Sequence, residues 1–484
     1  MVWLSDDATL RVNFPGNEVR MGQEITHEHF TEQERETYLC RLTEETVRLR
    51  EQFESGAFSS EAPVAGFEIE GWLVDHLMRP NPVNEAFLEA LNNPLATPEL
   101  ARFNIELNVD PLRLKQKVFS RFERRMQLLC KAAERAARET ESRLILVGIL
   151  PTLRPEDCSL ENMSMMKRYA ALNEEIAKAR NHAPIELDID GVDHVHISKK
   201  TVMLEAATTS LQLHLQVPWE QAHQFYNASI VASAPLLAVG VNSPFLFGRE
   251  LWQESRISVF EQSVDTGVPP QRVSFGSGYA EESIMECFEE NLRQYPVLLP
   301  ELMDEPCEHY AHLRLHNGAI WRWNRPLIGF GVDGCPHIRI EQRVLPAGPT
   351  IPDMMANAAF FYGLAKQLQD RPLMPFAAAR ENFYRAAKSG LNAELLWEGR
   401  THLATALILD KLLPLAEAGL SSLQVDADDI ERYLGIIADR AESAQTGARW
   451  QIDHVREYGN TMEELTRDYL ERQRTAAPVH EWDH

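Results

Sequence analysis

The chain has 484 residues, 44% of them hydrophobic, which is enough to bury a large core and by length suggests two or three domains. Its 72 acidic and 48 basic residues give a formal charge of −24, which argues against a nucleic-acid surface, since no Lys and Arg cluster is visible to hold phosphates. Six dispersed cysteines with no CxxC pair argue against a disulfide framework and are read as reduced thiols of a cytoplasmic protein.

The start, MVWLSDDATLRVNF, has no basic segment followed by a long apolar one, so no secretory leader is expected. From Glu32, EQERETYLCRLTEETVRLREQFESG has helical spacing and a glycine stop. VAGFEIEGWLVD and RFNIELNVDP read as strands, KQKVFSRFERRMQLLCKAAERAARETE as a helix and RLILVGILP as a further strand. DHVHIS places His194 and His196 on one strand face; with no third ligand adjacent, a surface or hairpin edge is the better reading than a metal pair. TSLQLHLQVP alternates again. ASIVASAPLLAVGV, interrupted by Pro235, is too short to span a bilayer and reads as a buried helix.

The glycines at Phe275 to Tyr279 suggest a flexible lid or a turn, and PAGPT around Gly348 lacks the spacing of a phosphate-binding loop. HIRIEQRVLP is the last long strand, and from Pro352 the pattern is nearly all helical, with RTAAPVHEWDH expected to fray. The fold expected is α+β: a curved, mainly antiparallel sheet backed by helices, with a helical C-terminal region. Nothing marks a linker; residues 1–375 are read as the catalytic unit and 376–484 as the helical region packed on it.

The polar residues of the strands carry the chemistry. Side chains alternate along a strand, so Glu68 and Glu70 share one face and Phe67 and Ile69 the other. A half-exposed strand explains one such pattern cheaply. Here four strands repeat it with Glu, Gln, His, Asn and Arg and no Lys, where an ordinary wet face would be mixed. In one sheet, Glu68, Glu70, Glu106 and Glu341 would converge with His214. Two like charges 4 Å apart repel by about 4 kcal/mol at an effective dielectric of 20, so the cluster calls for cations or protons. Carboxylates with one imidazole suit Mg²⁺ or Mn²⁺ better than zinc, and arginines beside them suit phosphoryl transfer from ATP.

GFEIEG, FNIELN, SLQLHL, NSPFLFGRELWQESR and IRIEQRVLP, in this order, resemble the carboxylate-amine ligase branch of the glutamate-cysteine ligase family, whose catalytic domain is similar to that of glutamine synthetase. MMKRYAAL, AIWRWNRP and ENFYRAAKSGL support the resemblance, which runs from about Gly66 to about Leu391. It implies metal ligands at Glu68, Glu70, Glu106, His214 and Glu341, holding two or three Mg²⁺ or Mn²⁺ ions with ATP. It places Arg343 by the transferred phosphate, with Arg339 on the nucleotide side, and Arg256 on the substrate carboxylate. Arg168, Tyr169, Gln212, Trp323 and Arg325 are expected on the substrate side. WRWNRP departs from the family's commoner tryptophan-aspartate-hydrophobic-arginine-proline run, so Trp321, Trp323, Asn324 and Arg325 leave the acceptor open.

The activity implied joins an amino-acid carboxylate, the γ-carboxylate of glutamate first, to an amine such as cysteine through an acyl phosphate, as in glutathione biosynthesis. Small-molecule substrates are expected, with no nucleic acid and no membrane, and a homo-oligomer is compatible. Two rivals share the chemistry or the fold: a guanidino-kinase-like phosphotransferase and a catalytically silent amino-acid-binding regulator.

Overall fold

The computed structural model describes residues 24–483 apart from 62, 332 and 460, so the expectation about the first segment lies outside the described residues. The strands in chain order are β1 (Val64–Val74), β2 (Ala96–Pro98), β3 (Asn104–Arg113), β4 (Arg143–Ile145), β5 (Ile185–Asp190), β6 (His194–Lys199), β7 (Ser210–Val217), β8 (Phe245–Leu246), β9 (Arg249–Glu250), β10 (Asn324–Phe330), β11 (Pro336–Pro346), β12 (Glu394–Trp397) and β13 (Arg400–Leu403). Seven form one curled antiparallel sheet in the order β10-β11-β7-β1-β3-β2, with β4 also on β1. The α+β expectation is met.

Register decides which side chains meet. Glu68 lies between Gln212 on β7 and Asn108 on β3, Glu70 faces Glu106, and His214 faces Glu341. Directly opposed residues share a face, so the polar alternations of four strands coincide on one side. The other side carries Phe67, Ile69, Ile105, Leu107, Leu213, Leu215, Ile338 and Ile340, all buried. The helices Val118–Glu139, Ala222–Gly240 and Ile351–Leu368 cover it; Phe67 meets Phe122 edge-on at 5.0 Å. Tyr362 anchors the last of these, its hydroxyl donating to the carbonyls of Gly66 at 3.0 Å and His214 at 3.1 Å.

The helix Glu32–Glu54 starts at a reciprocal Thr31–Glu34 cap and docks through a buried Glu45–His312 contact of 2.6 Å on the helix Ala311–Gly318. The helix expected around Pro235 is Ala222–Gly240, with every residue from Phe225 to Gly240 buried. Among the described residues no helix is long and apolar enough to cross a membrane.

Three local expectations need correction. Only Arg143–Ile145 of RLILVGILP pairs as a strand, because β4 meets only Trp72 to Val74 of β1. The helical C-terminal region contains the hairpin β12–β13. The tail is not frayed through Asp483: Val479 and Trp482 are buried, and Trp482 stands edge-on to Trp450 and Tyr469 at 5.2 Å each. The backbone N–H of Val479 donates to Asp353 Oδ2 at 3.0 Å, and Arg440 pairs with Asp353 at 2.7 Å. Buried aromatic area and a charge-assisted anchor outweigh the entropy of a free end.

Candidate active site

A cavity of about 640 Å³ opens on the polar face of the sheet. Glu68, Glu70, Glu106, Gln212, Arg339 and Arg343 reach it from the strands, Glu99 from just after β2, Arg168 and Tyr169 from the helix Lys167–Ala179, and Glu205 from the short helix Val202–Ala207.

Glu68, which lines the cavity, and the buried His214 and Glu341 beside it offer ligand atoms that all lie within 4.8 Å of one another. His214 Nε2 is 3.3 Å from Glu68 Oε1 and 3.4 Å from Glu341 Oε1. His214 Nε2 and Glu341 Oε1 are buried without a hydrogen-bond partner, which fits a cation between them. These distances alone would favour an imidazolium. Burial and the arginines Arg339 and Arg325 instead bring the His214 pKa down to about 4, against the pull of Glu341. Neutral imidazole is the stronger reading, because the charge of Glu341 is already committed to guanidiniums, and neutral imidazole is the metal-binding form.

Burial alone would raise the Glu341 carboxyl, yet Arg325 at 2.9 Å and Arg343 at 2.8 Å hold it well below its ordinary range. Glu68 goes the other way: burial, then the charges of Glu106 and Glu341, push it well up. Arg343 therefore bridges the triad to Gln212, whose Oε1 accepts from the same Nη1. Metal-free, the wall is electrostatically unbalanced, with one carboxylate satisfied by two arginines and its neighbour pushed up by burial and like charge.

The second carboxylate group sits beside it. Glu70 accepts from Ser210 N at 2.7 Å, Ser210 Oγ at 2.9 Å and Gln212 Nε2 at 2.8 Å. Glu106 accepts from Thr97 Oγ1 at 3.0 Å and Asn108 Nδ2 at 2.7 Å. Sequence reasoning missed Glu99 and Glu205. Burial first, then Glu106 and Glu70, raise Glu99 well above a normal carboxyl, and burial with Glu70 takes Glu205 up to about 8. Glu99 follows a three-residue strand too short to show alternation. Glu205 had a signal: it is the one acid in the apolar run VMLEAA.

Arg168 Nη2 donates to Tyr169 Oη at 2.6 Å, and both line the cavity with Arg325 and Trp321. Two residues expected on the substrate side are not brought to it. Trp323 is fully buried against Phe260 and Phe383, with Nε1 donating to Glu261 at 3.2 Å. Arg256 is also buried, held by Glu254 and the Val344 carbonyl. Asn324 is turned to Ser233 at 2.9 Å. His194 and His196 lie on the exposed hairpin β5–β6, paired with Asp188 at 2.7 Å and Glu186 at 3.1 Å. The glycine turn at Phe275 to Tyr279 is pinned through Ser277 to Glu290 at 2.9 Å and does not line the cavity.

The model of Glutamate-cysteine ligase family 2 (GCS2) matches residues 64–475. The glutamate-cysteine ligase of Francisella tularensis, solved in complex with AMP, is similar in fold with a TM-score of 0.59 and 12% identity, over 88% of this chain and 90% of its own. A bifunctional glutathione synthetase from Pasteurella multocida is similar with a TM-score of 0.54 and 11% identity. That match covers 89% of this chain and 54% of the other, so this chain spans about half of that protein. No curated protein matches the chain in sequence.

Proposed function

The chain belongs to Glutamate-cysteine ligase family 2, and from that premise we propose that it is an ATP-dependent ligase joining the γ-carboxylate of glutamate to an amine through an acyl phosphate. The observation that carries this reading is the buried Glu68–His214–Glu341 triad, which reaches through Glu68 a cavity also lined by Arg343 and Arg339. Glu68, His214 and Glu341 would hold one divalent ion, and Glu70, Glu99 and Glu106 would supply oxygens for another. Bound there, Mg²⁺ or Mn²⁺ would offset polyphosphate charge.

The residues of the chain have separate tasks. Arg168 and Tyr169 orient the donor amino acid, Arg168 through a guanidinium fork matched to a carboxylate. The donor's side-chain carboxylate oxygen forms a bond to the γ-phosphorus of ATP as the bond to ADP breaks, and Arg343 stabilises charge on the moving phosphoryl group. The amine nitrogen then attacks the acyl carbon, phosphate leaves, and the nitrogen gives up a proton. A free carboxylate is a poor electrophile, and activation as a mixed anhydride supplies the leaving group. Trp321 lines the cavity where the sequence departs from the family pattern, and on this reading it selects the amine.

Hydroxylamine tests this without knowledge of the natural amine. With ATP, Mg²⁺ and glutamate, the purified protein should yield γ-glutamyl hydroxamate. ADP release without hydroxamate would favour a guanidino-kinase-like phosphotransferase, and no ADP release with any carboxylate tested would favour the silent regulator.

A further inference from the structure

Arg256 opens the helix Arg256–Ser263 and is 2% exposed. Its Nε donates to Glu254 Oε1 at 3.0 Å, its Nη2 donates to the carbonyl of Val344, and its guanidinium lies 6.0 Å from the ring centroid of Trp323. The need for that carbonyl contact follows from register. On β11 and β7, Gln342 pairs with Leu213 and Leu345 pairs with Leu211, so Arg343 and Val344 together oppose Gln212. That is a β-bulge, which leaves backbone groups outside the ladder and redirects a side chain. Three of the stray groups are taken: Arg343 N donates to Trp323 O at 2.9 Å, Val344 N donates to Gln342 Oε1 at 2.9 Å, and Val344 O accepts from Arg256. Arg343, the first residue of that bulge, donates to Glu341 at 2.8 Å.

Arg256 is itself fixed from behind. Glu254 Oε1 also accepts from Ser243 Oγ at 2.6 Å, and its Oε2 accepts from Asn242 N at 2.7 Å. Asn242 Nδ2 donates to Ala347 O and to Tyr469 Oη, each at 2.8 Å, while its Oδ1 accepts from Gln451 Nε2 at 3.0 Å. Tyr469 and Gln451 belong to the C-terminal helices Met462–Thr475 and Gly447–Tyr458. The junction has no room to slip. A Cβ on Gly447 would stand 2.1 Å from Asn242 Oδ1, and one on Gly348, whose φ is +81°, would stand 2.2 Å from Leu146 O and 2.9 Å from Tyr469 Oη.

We propose that Arg256 is a positioning residue rather than a substrate ligand, and that the C-terminal helices set the aim of Arg343 through the buried series Tyr469, Asn242, Glu254, Arg256 and the Val344 carbonyl. The effect on turnover rests on the ligase reading; the placement of Arg343 does not.

Arg256→Lys keeps the charge but loses the fork that reaches Glu254 and Val344 together. Tyr469→Phe removes one hydroxyl and keeps the ring packing. In glutamate- and ATP-dependent ADP release, Arg256→Lys should lower kcat on the order of 10²-fold at unchanged KM for glutamate, the scale of a small misplacement of a catalytic group. Tyr469→Phe should lower kcat several-fold, and should add nothing to the loss in Arg256→Lys. A raised KM for glutamate at unchanged kcat in Arg256→Lys would make Arg256 a substrate ligand, and additive losses would break the series; either overturns the proposal. A crystal structure of full-length Arg256→Lys decides the geometry even if the wild type turns over nothing. The Arg343–Glu341 contact should be lost there, and an unchanged bulge with that contact intact overturns the proposal.

Discussion

Glu341 and His214 stand opposite each other on neighbouring strands, with Glu341 Oε1 3.4 Å from His214 Nε2 and neither atom hydrogen-bonded. A neutral imidazole and a carboxylate already ionised by two arginines are ready to bind a cation without first losing a proton. His214→Ala should therefore weaken Mn²⁺ binding by about tenfold or more, read by the electron paramagnetic resonance signal of free Mn²⁺ during titration. Unchanged affinity would put the ion elsewhere.

Removing charge from the same wall should have opposite effects on stability and on turnover. Glu68 is driven up by burial and by Glu106 and Glu341, so Glu68→Gln relieves a cost that the metal-free protein carries. In chelator the variant should resist urea better than the wild type, by on the order of 1 kcal/mol. With Mg²⁺ it should lose ATP turnover. A variant as active as the wild type at saturating Mg²⁺ would remove Glu68 from the metal site.

The site was legible where strands are long. β1, β7 and β11 run for 11, 8 and 11 residues, so alternation exposed the Glu68, His214 and Glu341 set before any pairing was known. Register, which alternation cannot give, then sorted five expected ligands into a triad around His214 and a separate Glu70–Glu106 pair. Trp323 and Arg256 were misplaced for a common reason. Both flank the β11 bulge, and a bulge is a two-against-one pairing that no single strand's pattern reveals. Glu99 was out of reach because β2 is three residues long and depends on β3 for its geometry.

The docked tail makes a stability prediction. Trp482 is 5% exposed and meets Trp450 and Tyr469 edge-on, so Trp482→Ala opens a gap between the C-terminal helices. The cost should be about 3 kcal/mol in urea unfolding. A loss below roughly 1 kcal/mol, the scale of a surface substitution, would return the tail to the frayed state that its composition suggested.

Glu205 sets a pH dependence whose sign can be worked through. Burial, with the charge of Glu70 and against Arg343, raises its carboxyl from an ordinary 4.5 to about 8. Between those values the native protein holds a proton that the unfolded chain has released, so this contribution is complete below pH 4.5 and is lost as pH rises through 8. Glu205→Gln keeps the size and removes the titration. In chelator, wild type and variant should have nearly equal stability near pH 4.5, with the variant ahead by on the order of 2 kcal/mol above pH 8, allowing for screening by water in the cavity. The measurement is urea unfolding of both proteins across that range, and the difference between the two curves isolates Glu205 from Glu68 and Glu99, whose carboxyls are shifted in the same direction. Parallel curves would mean that Glu205 is already ionised in the folded protein at neutral pH, held by a charge partner at the cavity wall.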